Sequence, residues 1–215
     1  MRESFDNQLG QLRAELAEVC GLTAVAIEQA TCALLDLDPA AADRTNEVNA
    51  DIDARSRDLD RRVLTLLALQ SPVARDLRVL ISGLHNIADL RRMGSLAAHI
   101  AEVARMHHPA AVVPEELRAI LGDMGKAARA QSEAAQEVLR HRDTDAAEQL
   151  IASDDRMDAL LRDLFAVTKG ADWPYGAASA VNITLLGRFY ERFCDHTVEI
   201  SRRIIFVVTG QIPDH

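Results

Sequence analysis

The sequence predicts an all-α protein of six long helices, arranged as two tandem, pseudo-symmetric three-helix bundles. Glycine and proline are sparse, at 10 and 6 of 215 residues, and most prolines fall in short turn-like clusters such as Gln70-Ser71-Pro72, His107-His108-Pro109 and GADWPYG. Between these clusters, apolar residues recur at the three- and four-residue spacing of a helix, with few β-branched alternations. The two halves of the chain also share residue patterns in the same order, which indicates a duplicated unit of three helices.

The first half predicts three helices separated by proline-containing turns. Asp38-Pro39 supplies an N-cap followed by proline at the first helical position, a pairing typical of a helix start. Gln70-Ser71-Pro72 ends the second helix, and His107-His108-Pro109 ends the third. The predicted helices span approximately residues 5–36, 39–69 and 72–107.

The second half predicts three further helices. Pro114 precedes two glutamates, an order that suits the positive end of a helix dipole, and this fourth helix reaches about residue 140. Asp143 begins a cap-rich turn, after which the fifth helix extends to about residue 169. The segment GADWPYG, residues 170–176, cannot continue a helix and is expected to form the longest loop of this half. The sixth helix follows to about residue 209, where Gly210 ends it.

Two pairs of segments align between the halves. The segment at 38–43 matches the one at 143–148, and LRRMGS at 90–95 matches YERFCD at 190–195. Both correspondences occur in the same order along the chain. We therefore expect a first three-helix repeat at 1–109 and a second at 114–210.

Composition and charge exclude several classes of function. A formal charge of -9, with no basic stripe interleaved with aromatic residues, argues against direct nucleic-acid binding. The N-terminus is charged and lacks the apolar core of a signal peptide, and the longest strongly apolar run, 204–208, is too short to span a bilayer. No phosphate loop, H-E-x-x-H motif or nucleophile with a base at readable spacing occurs. We expect a cytoplasmic, non-enzymatic protein without membrane insertion.

Acidic residues at helical spacing are the main candidates for a site. Glu191, Asp195 and Glu199 lie four residues apart, about one helical turn, and the fifth helix carries Asp154 and Asp158 at the same spacing. Packed side by side, these helices would bring carboxylates together, and oxygen donors suit a divalent ion such as magnesium, manganese, iron or zinc. The alternative is a solvated helix face partly neutralised by neighbouring arginines.

A ferritin-like di-iron site is a competing interpretation of the same acids. That site requires a Glu-x-x-His motif, with the two residues three apart, on two helices. Here His196 lies five residues from Glu191 and directly follows Asp195, so the required pairing is absent. His196 is better interpreted as a polar residue at the edge of its helix.

Two long phrases resemble the signature helices of the PhoU family of phosphate-signalling regulators. They are LLALQSPVARDLRVLISGLHNIADLRRMGSLAAHIAE and LLGRFYERFCDHTVEISRRIIFVVTG. The resemblance covers nearly the whole chain, including the repeat. It implies a duplicated three-helix bundle, often a homodimer, that represses phosphate-starvation responses. It also implies two partners, the ATPase of the phosphate ABC transporter (PstB-like) and a sensor histidine kinase (PhoR-like).

The resemblance further implies paired acidic motifs that bind metal ions in some members. The second repeat matches them at Asp154 with Asp158 and at Glu191 with Asp195. The first repeat departs from them, because its equivalents are Asn49 with Asp53 and Arg91 with Ser95. A guanidinium does not coordinate a cation, so a divalent metal is expected in the C-terminal repeat only. Arg91 is either a counter-charge to Asp53 or a solvated surface arginine, and Glu199, which matches His99, is expected on the solvated side.

Two other functions remain open from the sequence. A metal-binding or storage helical bundle would bind metal at high stoichiometry. A generic helical adaptor would bind neither metal nor the transporter ATPase and kinase.

Overall fold

The computed structural model describes residues 2–170 and 173–211, and these residues form helices joined by short turns. The all-α prediction is confirmed. Part of the predicted loop at 170–176, residues 171 and 172, lies outside the described residues. The helices are α1 (Arg2–Asp36), α2 (Pro39–Gln70), α3 (Ala74–His107), α4 (Glu115–His141), α5 (Thr144–Ser153), α6 (Asp155–Thr168) and α7 (Gly176–Thr209).

The predicted caps fix the ends of several helices. Asp38 accepts a hydrogen bond from the backbone N–H of Ala40 at 2.9 Å and begins α2. Asp143 accepts from the first backbone N–H groups of α5, with both distances at 3.0 Å. Gly210 ends α7 with φ 78°, in the left-handed region that glycine adopts at little cost. Short polar side chains and glycine therefore satisfy the end groups that a helix leaves unpaired.

The fifth predicted helix is interrupted at Asp154, a break that the sequence did not predict. This residue ends α5 and precedes α6, yet it keeps helical dihedral angles of φ -67° and ψ -25°. Its N–H donates to the carbonyl of Ile151 at 3.3 Å, the shorter i to i−3 pattern. The chain thus continues in a helical conformation, and the six-helix architecture holds with a local break in its fifth member.

The helices pack as two bundles that meet along two helix pairs. In the first bundle α1, α2 and α3 contact one another, and in the second α4, α5, α6 and α7 do so. The bundles join where α1 packs against α4 and where α3 packs against α7. The pseudo-symmetric pair of three-helix bundles is confirmed, with α5 and α6 together taking the place of one helix.

Small residues allow α1 and α4 to approach closely. A Cβ added at Gly21 would lie 2.7 Å from Nε2 of Gln136, and one added at Gly125 would lie 2.6 Å from the Thr31 side chain. Between these points the hydroxyl groups of Thr23 and Ser132 are hydrogen-bonded at 2.7 Å. Close backbone approach and a buried polar pair thus fix the register of the two bundles.

A charged network joins α3 to α7. Asp89 accepts a hydrogen bond from Nη1 of Arg203, and its other carboxylate oxygen lies 2.9 Å from Nδ1 of His196. Nη1 of Arg203 also donates to Oδ1 of Asn86 at 3.1 Å. Because the side chain of Asp89 is only 14% exposed, its charge is balanced mainly by Arg203 rather than by water.

Within the described residues, α1 alone is long and apolar enough to cross a membrane by length and composition. Its apolar residues do not form one uninterrupted run, because charged residues such as Arg13, Glu15 and Glu18 lie between them. Half of its most apolar window is buried inside the bundle.

Candidate functional site

The packing of α7 directs the side chains of Glu191 and Asp195 toward α5 and α6. Phe193 is fully buried, which fixes the rotation of α7 about its axis. The Glu191 side chain is 14% exposed, so it does not lie on a freely solvated face. Because α7 packs against both α5 and α6, the acids of α7 meet those at the α5–α6 break. The resulting acidic cluster consists of Asp154, Asp158, Glu191 and Asp195.

The carboxylates of this cluster repel one another through space. Burial raises the pKa of Asp154, and the negative charges of Asp195 and Asp158 act in the same direction. Burial likewise raises the pKa of Glu191, with the charges of Asp195 and Asp158 adding to the shift. Burial also raises the pKa of Asp195, again with a contribution from Asp158. The helices thus bring together acids that lie up to 41 residues apart in the sequence, and the charges of Asp158 and Asp195 disfavour the ionised form of neighbouring acids.

Neighbouring polar groups satisfy only part of the cluster. Nη1 of Arg188 lies 2.6 Å from Oε1 of Glu191, and Nε2 of Gln131 donates to Oδ1 of Asp154 at 3.2 Å. Oε2 of Glu191 is buried and has no hydrogen-bond partner. A buried carboxylate oxygen without a donor is costly, and it is the kind of atom that a bound cation would satisfy.

Gln131 is a member of the site that the sequence analysis missed. It is 5% exposed on α4, and its Oε1 accepts a hydrogen bond from Thr197 at 2.8 Å. The link from α7 through Gln131 to Asp154 holds the α5–α6 break in position. A signal was available in the sequence, because Gln131 and Ser132 are the polar residues in the mostly apolar stripe of α4 that includes Met124, Ala128, Ala135 and Val138.

Carboxylate oxygens are ligands that a hard or intermediate divalent cation prefers. The four carboxylates of the cluster are nevertheless too far apart in this structure to surround one ion. Among the described residues, no three Asp, Glu, His or Cys side chains lie at metal-holding distances. Asp158 and Asp195 are the more exposed members of the cluster, and Asp154 and Glu191 are the more buried ones. A cation at this position would relieve the mutual repulsion and satisfy the unpaired oxygen of Glu191.

The equivalent position of the first repeat contains an ion pair. A cleft of about 400 Å³ lies between α2 and α3, and Asn49, Asp53, Arg91 and Ser95 all line it. Nε and Nη2 of Arg91 both lie 2.9 Å from Oδ1 of Asp53, while Arg57 pairs with the other oxygen. Of the two interpretations of Arg91 from sequence, the counter-charge to Asp53 agrees with this geometry.

Two residues next to the cluster have other contacts. Glu199 pairs with Arg202 at 2.8 Å and with Arg203 at 3.7 Å, outside the acidic cluster. His196 contacts Asp89 of the first repeat rather than the acids of its own. Glu199, expected on the solvated side, thus lies outside the acidic cluster but forms ion pairs, and the contact of His196 with α3 was not predicted.

Comparisons with known proteins assign the chain to a family. A family model described as "PhoU domain" matches residues 16–104 and 121–204. The phosphate-specific transport system accessory protein PhoU homolog 1 of Mycobacterium leprae is 44% identical over 214 residues, covering 100% of this chain and 96% of the relative. Homolog 2 of Mycobacterium tuberculosis is 44% identical over 213 residues, covering 99% and 100% respectively.

Solved structures agree in fold. The crystal structure of PhoU from Pseudomonas aeruginosa is 25% identical, with a TM-score of 0.83, over 96% of this chain and 100% of that one. The phosphate transport system regulatory protein PhoU from Streptococcus pneumoniae is 23% identical, with a TM-score of 0.87, over 98% and 100%. With both halves matched by the family model and full-length relatives at 44% identity, the chain belongs to the PhoU family.

Proposed function

We propose that this protein is a cytoplasmic negative regulator of phosphate uptake and phosphate-starvation signalling. It acts by protein–protein contact between a PstB-like transporter ATPase and a PhoR-like sensor histidine kinase, and it does so without catalysing a reaction. The observation that carries the proposal is full-length similarity, at 44% identity, to proteins named as accessory proteins of the phosphate-specific transport system. Similarity over the entire length favours a shared role more strongly than fold alone.

The helix ends offer surfaces for such contacts. Leu69 and Val73 flank the turn between α2 and α3 and are 73% and 75% exposed. Apolar side chains that protrude in this way are commonly covered when a partner binds. A partner that binds one conformation of the regulator more tightly shifts its population toward that conformation. We further propose a homodimer as the working assembly, which sedimentation of the purified chain tests directly.

The acidic cluster is the proposed metal site, confined to the C-terminal repeat. Asp154, Asp158, Glu191 and Asp195 would hold a divalent ion such as magnesium, manganese, zinc or iron. The unpaired buried oxygen of Glu191 and the mutual repulsion of the acids support this assignment. Because Asp154 lies at the α5–α6 break, a bound cation would tie this break to α7 and stiffen one face of the second bundle.

A deletion strain tests the regulatory role. In rich phosphate, loss of the gene is expected to leave phosphate-responsive promoters active, and the intact gene is expected to restore repression. Normal repression without the gene would overturn the proposal.

Binding experiments separate the alternatives. A storage bundle would take up many metal ions per chain and ignore the transporter ATPase and kinase, whereas the regulator is expected to bind those partners even when chelator has removed metal. A generic adaptor would bind neither the metal nor these partners.

A further inference from the structure

The cleft between α2 and α3 has a lining rich in hydrogen-bond donors. Its volume of about 400 Å³ is within the size range typical of small-molecule sites. Asn46 and Asn49 contribute side-chain amides from α2. Arg91 and Arg92 contribute guanidinium groups from α3. Two walls, each formed by a different helix, thus place N–H groups around one space.

Small residues keep this cleft open. Ala50 of α2 and Ala88 of α3 both line it, and both are exposed to solvent. Gly94 of α3 also makes room, since a Cβ added there would lie 2.6 Å from Oδ1 of Asn49. Because that oxygen is turned to the glycine, the NH2 group of Asn49 is left as a donor.

The acid of the cleft is paired through both of its oxygens. Asp53 is the one acid among the described residues that line the cleft. Its Oδ1 lies 2.9 Å from Nε and Nη2 of Arg91, and its Oδ2 accepts a hydrogen bond from Arg57. Two guanidinium groups therefore share a single negative charge, and Nη1 of Arg91 takes no part in these contacts.

Arg92 adds a further positive charge at the cleft. Across residues 2–170 and 173–211, ion pairs join many arginines to Asp or Glu, but none involves Arg92. Its side chain is exposed and lines the cleft. In a chain of formal charge -9, this excess of guanidinium groups over carboxylates makes the cleft locally positive.

The second repeat has acids at two of the matching positions. Asp154 matches Asn49, and Glu191 matches Arg91. An amide and a guanidinium in place of two carboxylates exchange acceptors for donors at the same place in the duplicated framework. The position that is the proposed cation site in the second repeat therefore offers donors for an anion in the first.

We propose that the cleft between α2 and α3 binds a dianionic phosphate group, either inorganic phosphate or the terminal phosphate of a nucleotide. A tetrahedral phosphate accepts hydrogen bonds from several directions, which matches donors that come from both helices. A carboxylate offers two oxygens in one plane and fits donors on one wall better than donors on two. The bound anion would contact Arg91 and Arg92 on one side and the two asparagine amides on the other. The inference does not rest on the proposed regulatory role, because it concerns ligand binding by the isolated protein.

Titration calorimetry on the full-length protein tests the site. Inorganic phosphate and ATP are titrated separately at constant ionic strength set with chloride, after chelator treatment so that no metal ion mediates binding. Arg92→Gln removes an exposed guanidinium without touching the Asp53 pairs and is expected to weaken binding about tenfold, the value for one lost charge-assisted hydrogen bond. Arg192→Gln changes the matching exposed arginine of the second repeat and is the control, expected to bind like wild type.

A second variant tests the space rather than the charge. Ala88→Leu places a larger apolar side chain in the cleft at an exposed helical position, where leucine is a good helix former. It leaves the net charge unchanged and is expected to weaken binding about tenfold or more. Circular dichroism of each variant verifies that the helical fold is retained.

Each outcome decides the proposal. Binding of either compound that weakens in both Arg92→Gln and Ala88→Leu supports the site, and the compound that binds more tightly identifies the source of the phosphate group. Absence of binding by both compounds would overturn the proposal. Wild-type affinity in either cleft variant, or an equal loss of affinity in Arg192→Gln, would also overturn it.

Discussion

Nε and Nη2 of Arg91 both lie 2.9 Å from Oδ1 of Asp53, across the interface between α2 and α3. In the second repeat, the positions that match Arg91 and Asp53 are Glu191 and Asp158. The first repeat thus balances its remaining acid with an internal cation, while the second repeat keeps acids that repel one another. One duplicated framework thus contains an arginine–aspartate pair in the first repeat and an acidic cluster, the proposed metal site, in the second.

Restoring the acids of the first repeat is expected to create a second metal site. In the variant Asn49→Asp, Arg91→Glu, Ser95→Asp, the cleft beside Asp53 contains four carboxylates and no longer the Arg91 ion pair. Repulsion between these acids lowers stability without metal, and a divalent ion offsets it. Elemental analysis after incubation with manganese and dialysis is expected to show more metal per chain than in wild type. Unchanged metal content would contradict the proposal that the Arg91 ion pair and the missing acids prevent metal binding in the first repeat.

The acidic cluster predicts that metal-free protein loses stability as pH rises. The pKa values of Asp154, Glu191 and Asp195 are raised in the folded state, so the folded chain binds more protons than the unfolded chain near these values. The contribution is therefore favourable at mildly acidic pH and is lost as pH rises through the raised pKa values.

Removal of one charge from the cluster tests this expectation. Glu191→Gln is expected to stabilise the metal-free protein at neutral pH by up to about 1 kcal/mol, since solvent screens these partly exposed charges. Urea unfolding in chelator from about pH 4 to 8, a range that begins near the unfolded pKa values of these carboxyl groups, measures both effects. Glu133→Gln, on exposed α4 surface, is the control, and a similar gain in that variant would rule out repulsion within the cluster as the cause.

Asp89→Asn is expected to destabilise the junction between the repeats by about 3 kcal/mol, since it leaves Arg203 without its buried partner. Burial opposes the charge of Asp89, but hydrogen bonds from His196 and Arg203 outweigh it and lower its pKa. A lowered pKa means that this contribution exists above the unfolded pKa and is lost as pH falls through the folded value. Glu199→Gln, which removes the longer and more exposed contact with Arg203, is expected to cost under about 1 kcal/mol. Equal losses in both variants would contradict the role assigned to Asp89.

Close packing of α1 on α4 predicts opposite effects of two glycine substitutions. Gly125→Ala places a methyl group 2.6 Å from the Thr31 side chain and is expected to destabilise the protein by about 1–3 kcal/mol. Gly10→Ala, in α1 with nothing within 4 Å of the added methyl group, is expected to stabilise by up to about 1 kcal/mol through helix propensity. Thermal unfolding of both variants tests the pair, and a Gly125→Ala protein as stable as wild type would refute the close approach.

The helices, their caps and the duplication were predictable because they depend on local signals. Asp38 and Asp143 cap helices through bonds to residues two or three positions away, which sequence alone reveals. The break at Asp154 has no glycine or proline to mark it, so it was not predicted. Its contact with Gln131 joins residues 23 positions apart on different helices, and such contacts follow from packing rather than from local pattern.

The contact between His196 and Asp89, which joins the two repeats, could not be predicted from the sequence either. His196 and Asp89 are 107 residues apart, and each has an ordinary polar position on its own helix. Only the packing of α3 on α7 brings them together. By contrast, the separation of Glu199 from the site came directly from alignment of the two repeats.

The metal content of the purified chain tests the central claim most directly, namely that one acidic site survives and that it lies in the second repeat. Elemental analysis compares wild type with the double variant Glu191→Gln, Asp195→Asn, and with Asp53→Asn as the matched control in the first repeat. Wild type and Asp53→Asn are expected to retain the same divalent metal, and the double variant is expected to lose it. Equal metal content in wild type and the double variant would contradict the claim.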